Sequence, residues 1–199
     1  LHSLLRKTSW LILRASGQCL RIHGPLPDPK GRPYIYIFNH CSILDAFIVC
    51  AVVPEYCRAI GKIEQFSWPF WGTIIRRYGV IPVERDRLKP ALASLELAQT
   101  YIAARQSLII APEGTRSPDG KLQTFKKGAF HMAKNTKASL IPLGFHGAYQ
   151  AKHKGSWVIT PGRIDAYIGT PICPEIYSEM TVDQLRDYAF GQVKRLAGQ

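Results

Sequence analysis

The chain of 199 residues is long enough for one domain with a substantial core, and its 46% hydrophobic and 20% charged residues exclude a disordered protein. Its 26 Lys and Arg against 14 Asp and Glu give a formal net charge of +12, which predicts an anionic partner such as phospholipid, nucleic acid or a phosphorylated substrate. The 5 cysteines include no C-x-x-C pair, which argues against a disulfide framework or a zinc site and favours a reducing compartment.

Residues 1–22 have the pattern of an amphipathic helix. At about 100° per residue, their apolar side chains gather on an arc of roughly 120°, with Trp10 and the basic residues opposite. Such a helix either lies in a membrane interface or packs on the domain core, and the net charge favours the interface. No apolar run reaches the roughly 18 residues needed to cross a bilayer. The arc consists of Leu4, Leu5, Thr8, Leu11, Ile12, Ala15, Cys19 and Ile22, and the basic side of Arg6, Lys7, Arg14 and Arg21.

Beyond a Pro- and Gly-rich connector at 24–33, predicted strands alternate with predicted helices. This alternation predicts an α/β fold, a single domain with a central mixed, largely parallel sheet flanked by helices. Pro82 places its strand at a sheet edge or at a bulge, and Pro69 interrupts its helix. We expect strands at 34–38, 56–60, 79–85, 107–111 and 139–144, two shorter strands between 156 and 168, and helices at 46–53, 64–77, 88–104, 126–136 and 181–199.

The segment 39–45, Asn-His-Cys-Ser-Ile-Leu-Asp, links the first predicted strand of this domain to a helix. Two residues five apart do not share a helix face, so His40 must lie in the turn, where its ring is able to reach Asp45 in the first helical turn. A carboxylate on one ring nitrogen fixes the tautomer and leaves the other nitrogen free to accept a proton, which describes a general base. Ser42-x-x-Asp45 also fits a helix-capping box, and for the isolated pattern both interpretations are open.

A second loop, Ala-Pro-Glu-Gly-Thr-Arg-Ser at 111–117, follows a predicted buried strand. Gly114 allows close backbone approach, and Arg116 offers a planar fork of donors that suits phosphate. The alternative is a turn with a solvated arginine, since Pro-Asp-Gly at 118–120 is a turn signal. The basic surroundings favour the anion site. Between residues 114 and 164 a single acid, Asp119, stands against Arg116, Lys121, Lys126, Lys127, Lys134, Lys137, Lys152, Lys154 and Arg163.

Several short blocks, in this order and spacing, resemble the glycerolipid acyltransferases, the family of 1-acylglycerol-3-phosphate acyltransferases. Asn-His-x-x-x-x-Asp resembles the first family motif and Pro-Glu-Gly-Thr-Arg-Ser the third. The similarity covers about residues 33–145. The matching blocks are 39–45, 61–65, 79–85, 112–117, 125–130 and 140–144.

The resemblance implies roles for individual residues. His40 would take the proton of an acceptor hydroxyl as it attacks an acyl thioester, with Asp45 holding the imidazole. Ala111 replaces the usual aromatic residue and Pro82 the usual Phe; neither departure removes a charge, so both bear on acceptor and acyl-chain preference. No metal ligand is implied. The implied substrate-binding residues are Lys62, Arg85, Glu113, Gly114, Thr115, Arg116, Lys126 and Lys127.

The implied reaction moves a fatty acyl group from acyl-CoA or acyl-carrier protein to a lysophospholipid, with 1-acylglycerol-3-phosphate as the expected acceptor. The thioester is a co-substrate, and no cofactor is expected. Alternatives are another lysolipid or glycerol-3-phosphate as acceptor, a lipid thioesterase or hydrolase, and a non-catalytic module that binds anionic lipid. Nucleic acid is not expected, because the aromatic residues do not interleave with Lys and Arg as on a stacking platform.

We therefore expect a peripheral or monotopic protein on the cytoplasmic side of a membrane, with the phospholipid surface as a partner. Residues 1–23 are the predicted membrane-contacting helix, and residues 24–199 are the predicted acyltransferase domain.

Overall fold

The structure, a computed structural model, describes residues 2–199, which form eight α-helices and seven β-strands. Short 3-10 turns lie at Pro29–Gly31 and Ile63–Ser67. The helices are α1 His2–Ala15, α2 Asp45–Val52, α3 Trp71–Tyr78, α4 Leu88–Ala103, α5 Gly128–Thr136, α6 Ala148–Ala151, α7 Pro174–Tyr177 and α8 Val182–Leu196. The strands are β1 Gln18–His23, β2 Tyr34–Phe38, β3 Cys57–Lys62, β4 Ile81–Val83, β5 Ser107–Ile110, β6 Ser139–His146 and β7 Gly162–Ile168.

The strands of this part of the chain form one sheet in the order β1-β7-β6-β2-β5-β3-β4. The strands from β2 to β6 run parallel to one another, β7 runs antiparallel to β6, and β1 runs parallel to β7. The predicted central mixed, largely parallel sheet is therefore confirmed. Pro82 lies in β4 at the sheet edge, where its missing N–H is tolerated.

Strand β2 holds the centre of the core. All five of its residues are buried, and successive side chains point to opposite faces of the sheet. Tyr34, Tyr36 and Phe38 join the apolar cluster that includes side chains of α1, α2 and α6. Ile35 and Ile37 join the cluster formed with α4, α5 and α8. Each such side chain contributes about 1.5–3 kcal/mol on burial, so the turn after β2 starts from a rigid base.

The N-terminal segment departs from the prediction. The helix expected over residues 1–22 ends at Ala15, and residues 18–23 are instead β1, an edge strand paired with β7. Gly17 makes the break, because its φ of 76° lies in the left-handed region that favours glycine. The boundary predicted after residue 23 therefore falls at the end of a strand of the central sheet.

Helix α1 packs on the domain through a face beside its apolar arc, and Leu5 and Ile12 at the edge of the arc are partly buried. Leu13 is fully buried, and Arg6 Nε donates a hydrogen bond of 3.2 Å to the carbonyl of Ala51 at the end of α2. Leu4 and Leu11, both members of the arc, are 65% and 67% exposed. The helix thus packs on the core and still presents an apolar stripe to the outside. Over residues 2–199, no helix is long and apolar enough to span a bilayer.

The prediction of two strands between residues 156 and 168 is wrong for the first of them. Only β7 forms there, and residues 152–161, here called the 152–161 loop, connect α6 to it. Pro161 lacks the N–H that a sheet ladder requires, which accounts for the start of β7 at Gly162.

Candidate active site

The loops that carry the predicted chemistry meet at one edge of the sheet. In parallel strands the carboxyl ends share an edge, and β2, β5, β3 and β4 are neighbours in that order. His40 follows β2, the segment 111–117 follows β5, Lys62 ends β3, and Arg85 follows β4. Distant parts of the chain therefore contribute to one site because of the strand order.

His40 and Asp45 form a hydrogen-bonded pair. Nδ1 of His40 lies 2.8 Å from Oδ2 of Asp45, whose side chain is fully buried. The same oxygen accepts the backbone N–H groups of Cys41 and Ser42, each at 2.8 Å. A carboxylate that already accepts two donors takes the Nδ1–H as a third, which leaves the lone pair of Nε2 free to accept a proton.

The capping interpretation of Ser42-x-x-Asp45 and the orienting role of Asp45 are both compatible with the structure. The α-helix proper begins at Asp45, with Leu44 as its N-cap and no side-chain cap on Leu44, but Asp45 Oδ2 accepts the N–H of Ser42 as in a capping box. The Ser42 hydroxyl accepts from the N–H of Leu44 at 3.2 Å and donates to the carbonyl of Lys152 at 2.7 Å.

Cys41 packs beside His40, and its thiol is poorly suited to act as a nucleophile. Its side chain is buried, and burial raises the pKa of the thiol far above its ordinary value. A thiol that stays protonated cannot attack a thioester.

Glu113 holds the backbone of the turn that carries His40. One carboxylate oxygen accepts the N–H of His40 at 2.6 Å, and the other accepts the N–H of Gln123 at 2.9 Å. The N–H of Ser117 in turn donates to the carbonyl of His40 at 2.7 Å. Burial raises the pKa of Glu113 to about 7, against the two hydrogen bonds that favour its charged form. Both oxygens accept hydrogen bonds from backbone donors, so the structure gives Glu113 a role in positioning this turn.

Three of the predicted binding residues come together around Gly114. Its φ of 75° is left-handed, and its carbonyl accepts a hydrogen bond from the Arg85 guanidinium. The Lys126 side chain lies directly over it, since a Cβ on Gly114 would stand 2.9 Å from Cε of Lys126. Burial lowers the pKa of Arg85, whose charge is thus partly withdrawn from water.

Arg116 and Thr115 lie in the same loop, Arg116 half-buried and Thr115 exposed. Within residues 2–199 the Arg116 side chain makes no hydrogen bond or ion pair with another residue. Its donors are therefore available to a ligand.

The other two predicted lysines each form an ion pair with a carboxylate. Lys127 pairs with Asp183 of α8 at 2.9 Å, and both side chains are about half exposed. Lys62 pairs with Glu64 at 2.8 Å beyond the end of β3. Lys127 shows that a lysine adjacent in sequence to a site residue is free to turn toward a different element.

Sequence reasoning missed Asn39 as a positioning residue. Its side-chain amide donates to the carbonyl of Phe145 at 2.9 Å and accepts the N–H of Phe145 at 2.7 Å, which ties the end of β2 to β6. The signal was present, because Asn39 opens the 39–45 segment, but its partner lies 106 positions away along the chain.

The chain that carries this site, in which the buried Asp45 orients the partly exposed His40, matches the model of a known family. The family model described as Acyltransferase matches residues 19–146, so the chain belongs to this family, and the predicted resemblance is confirmed.

Two relatives align with most of this chain. The chain is 34% identical over 179 residues to a 1-acyl-sn-glycerol-3-phosphate acyltransferase of Limnanthes douglasii, covering 89% of this chain and 62% of that protein. It is 32% identical over 150 residues to an enzyme of the same name from Cocos nucifera, covering 75% of this chain and 49% of that protein. The chain thus spans about half to three fifths of the length of these curated relatives.

A solved structure shares the whole fold. The 1-acyl-sn-glycerophosphate (LPA) acyltransferase PlsC from Thermotoga maritima superimposes with a TM-score of 0.87 at 27% identity, covering 99% of this chain and 78% of that one. The agreement extends to α1 and β1, which lie outside the family blocks recognised in the sequence.

Proposed function

We propose that this chain is an O-acyltransferase that moves a fatty acyl group from a thioester to the free hydroxyl of a lysophospholipid, with 1-acylglycerol-3-phosphate as acceptor and phosphatidate as product. One observation carries the proposal: the His40–Asp45 pair, joined at 2.8 Å, stands at the same sheet edge as Arg85, Gly114 and Lys126. A base and a cation cluster in one site suit an acceptor that carries both a hydroxyl and a phosphate.

In the proposed reaction His40 acts through Nε2. It accepts the hydroxyl proton while the acceptor oxygen bonds to the thioester carbonyl carbon. The carbon–sulfur bond then breaks, and the sulfur leaves with the proton that the imidazolium returns, so that the products are an ester and a free thiol. Asp45 stabilises the imidazolium and keeps Nδ1 protonated. No cofactor takes part in this scheme.

The acceptor phosphate is proposed to bind Arg116 and Lys126, with Arg85 bracing the loop through the carbonyl of Gly114. The guanidinium of Arg116 provides a planar fork for two phosphate oxygens, whereas Lys126 adds a point charge. Lys62 and Lys127 are left out of this set, because each is already paired with a carboxylate.

The membrane surface is proposed as a partner through α1. The exposed Leu4 and Leu11 form an apolar stripe flanked by Lys7 and Arg14, the composition of a helix that lies in a lipid interface. Both substrates carry acyl chains that partition into membranes, which suits a site supplied from a bilayer. We propose the cytoplasmic side because acyl-CoA and acyl-carrier protein are made there.

A transfer assay tests the proposal. The full chain is incubated with lysophosphatidate, with each of acyl-CoA and acyl-carrier protein as donor in separate arms, and the lipid product and free thiol are both quantified. Equal amounts of phosphatidate and thiol are expected. Thiol release without phosphatidate would identify a thioesterase, and no thiol release with either donor would leave only a lipid-binding module.

A further inference from the structure

The 152–161 loop exposes consecutive apolar side chains that the core does not use. Trp157 is 98% exposed, Val158 68% and Ile159 42%. A contiguous exposed apolar surface of this kind indicates a site for a protein, a membrane or a ligand. The loop lies outside the catalytic pair and the cation cluster, so the proposed reaction leaves its exposed side chains without a role.

The loop is tied at both ends, although its tip is bare. The N–H of Thr160 donates to the carbonyl of Ala151 at 2.9 Å, and the Gln18 side chain donates to the carbonyl of Thr160 at 2.9 Å. The Lys152 ammonium donates to the carbonyl of Ser156, across the base of the loop. Hydrogen bonds at its base therefore order the loop before it binds, which lowers the conformational entropy lost on binding.

The charge around the tip indicates which partner binds there, a second copy of the chain or an anionic lipid surface. Lys154 is exposed beside the tip, and the sequence has no Asp or Glu between Asp119 and Asp165. A second copy of a chain with net charge +12 meets repulsion here, whereas an anionic lipid surface is attracted. Tryptophan is also the side chain best suited to the lipid–water interface, because its ring is apolar and its N–H reaches the headgroups.

We propose that the 152–161 loop inserts Trp157 and Val158 into the interface of an anionic phospholipid membrane, as a contact separate from α1. The proposal rests on the proposed function insofar as the acceptor is taken from a bilayer. It adds a second anchor, and two anchors define how the domain sits on the surface, which one helix alone does not.

This anchor is joined directly to the catalytic turn. The Ser42 hydroxyl donates to the carbonyl of Lys152 at 2.7 Å, at the first residue of the loop, and Ser42 stands two positions from His40. Insertion of the tip therefore sets the height of the catalytic base above the lipid surface.

The test measures sedimentation of the full chain with phosphatidylcholine vesicles, with and without phosphatidylglycerol. The double variant Trp157→Ser/Val158→Ser is expected to lower the partition coefficient for the anionic vesicles by about tenfold, because an aromatic and a branched side chain lose their burial in lipid. Trp157→Phe is expected to retain most of the binding. It should also lose part of the quenching of tryptophan emission by brominated phosphatidylcholine.

Ile176→Ser is the matched control. Ile176 is 44% exposed on α7, and Ile172 just before that helix pairs with Leu140 at the start of β6, at the edge opposite the site. Its removal is expected to leave binding unchanged. Melting temperatures of all variants check that they fold, as exposed positions should allow.

Unchanged anionic binding by the double variant would overturn the proposal. So would self-association of the unmodified chain in the absence of lipid, measured by light scattering and abolished by the double variant, because the loop would then bind a second copy. Sedimentation needs no turnover, so a chain that binds through the loop but transfers no acyl group would refute the proposed function alone.

Discussion

At the scale of single residues, one oxygen of Asp45 combines two tasks. It accepts the Nδ1–H of His40 and the backbone N–H groups of Cys41 and Ser42. The first contact sets the tautomer of the base, and the other two hold the turn in which the base lies. A change at Asp45 should therefore affect both the reaction and the local structure.

His40→Ala is expected to lower kcat/KM for acyl transfer by about two to four powers of ten with little change in melting temperature. Asp45→Asn should lower the rate comparably, because an amide is able to stabilise the wrong tautomer, and should also lower the melting temperature, because two backbone donors lose a charged acceptor. Steady-state kinetics and thermal melts check both. Cys41→Ala is the control and should keep a rate within a few-fold of the unmodified chain; a full rate in His40→Ala would refute the base.

Glu113 should make stability depend on pH. Its pKa is raised by burial from 4.5 to about 7, so between these values the folded chain holds a proton that the unfolded chain has lost. The contribution of Glu113 to the free energy of unfolding is therefore complete below about pH 4.5 and is lost as the pH rises through 7. In the unmodified chain, Glu113 should lower the free energy of unfolding by an amount on the order of 3 kcal/mol between pH 4.5 and pH 8. In Glu113→Gln this decrease should be absent.

Denaturant unfolding of both chains at several pH values measures this difference. Comparison between the two chains cancels the titration of the other groups. The same pH slope in the variant and the unmodified chain would show that Glu113 does not carry the proton.

At the scale of elements, prediction succeeded where one local pattern dominates. The apolar run of β2 and the start of the closing helix at 181 are specified by adjacent residues, and both form where they are expected. The structure adds that Thr181 caps α8 in a capping box with Gln184. The helix predicted over residues 1–22 is wrong beyond Ala15, because Gly17 adopts a left-handed conformation that ends it. Whether Leu20 packs on a sheet depends on β7, which lies far along the chain.

The segment between β5 and α5 shows the same limit of prediction from local sequence. The sequence brings Arg116, Lys126 and Lys127 together as one basic run, but only the fold shows that Lys127 faces Asp183 on α8. The order of the strands, and with it the meeting of Arg85 with Gly114, also follows from packing that no local pattern records.

Arg116 and Lys127 both lie in the segment after β5, but only Arg116 is proposed to bind the acceptor phosphate. Substitutions at the two positions therefore test the phosphate site. The unmodified chain should favour lysophosphatidate over monoacylglycerol by at least about a hundredfold in kcat/KM, because two charge-assisted contacts each contribute about 1.5–3 kcal/mol. Arg116→Ala should narrow this preference, and Arg116→Lys should restore it only in part, because a point charge does not replace a bidentate fork.

Lys127→Ala is the matched control, since its ammonium is occupied by Asp183 and its loss should leave the preference nearly unchanged. Parallel assays with the two acceptors measure all four chains. Efficient acylation of monoacylglycerol by the unmodified chain would overturn the phosphate site while leaving the base in place.

At the scale of the whole molecule, the positive charge and the exposed apolar side chains answer different needs. On the proposed membrane, the net charge of +12 would act at a distance and attract the chain to an anionic surface, whereas side chains such as Leu11 and Trp157 would gain free energy only after contact. Salt should therefore weaken the first effect and spare the second.

Helix α1 allows the two effects to be separated without removing it. Deletion of the segment is a poor test, because Leu13 is part of the core and the strand β1 follows directly. Leu4→Ser/Leu11→Ser should weaken binding to neutral and anionic vesicles alike, since the lost free energy is that of apolar burial. Lys7→Glu/Arg14→Glu should weaken only the binding to anionic vesicles, by more than about tenfold at low salt, because each basic residue contributes about 1 kcal/mol. Sedimentation across a salt series measures both, and Ile176→Ser again serves as the control. If neither pair of substitutions changes binding, α1 is a packing helix only, and its exposed leucines do not meet the membrane.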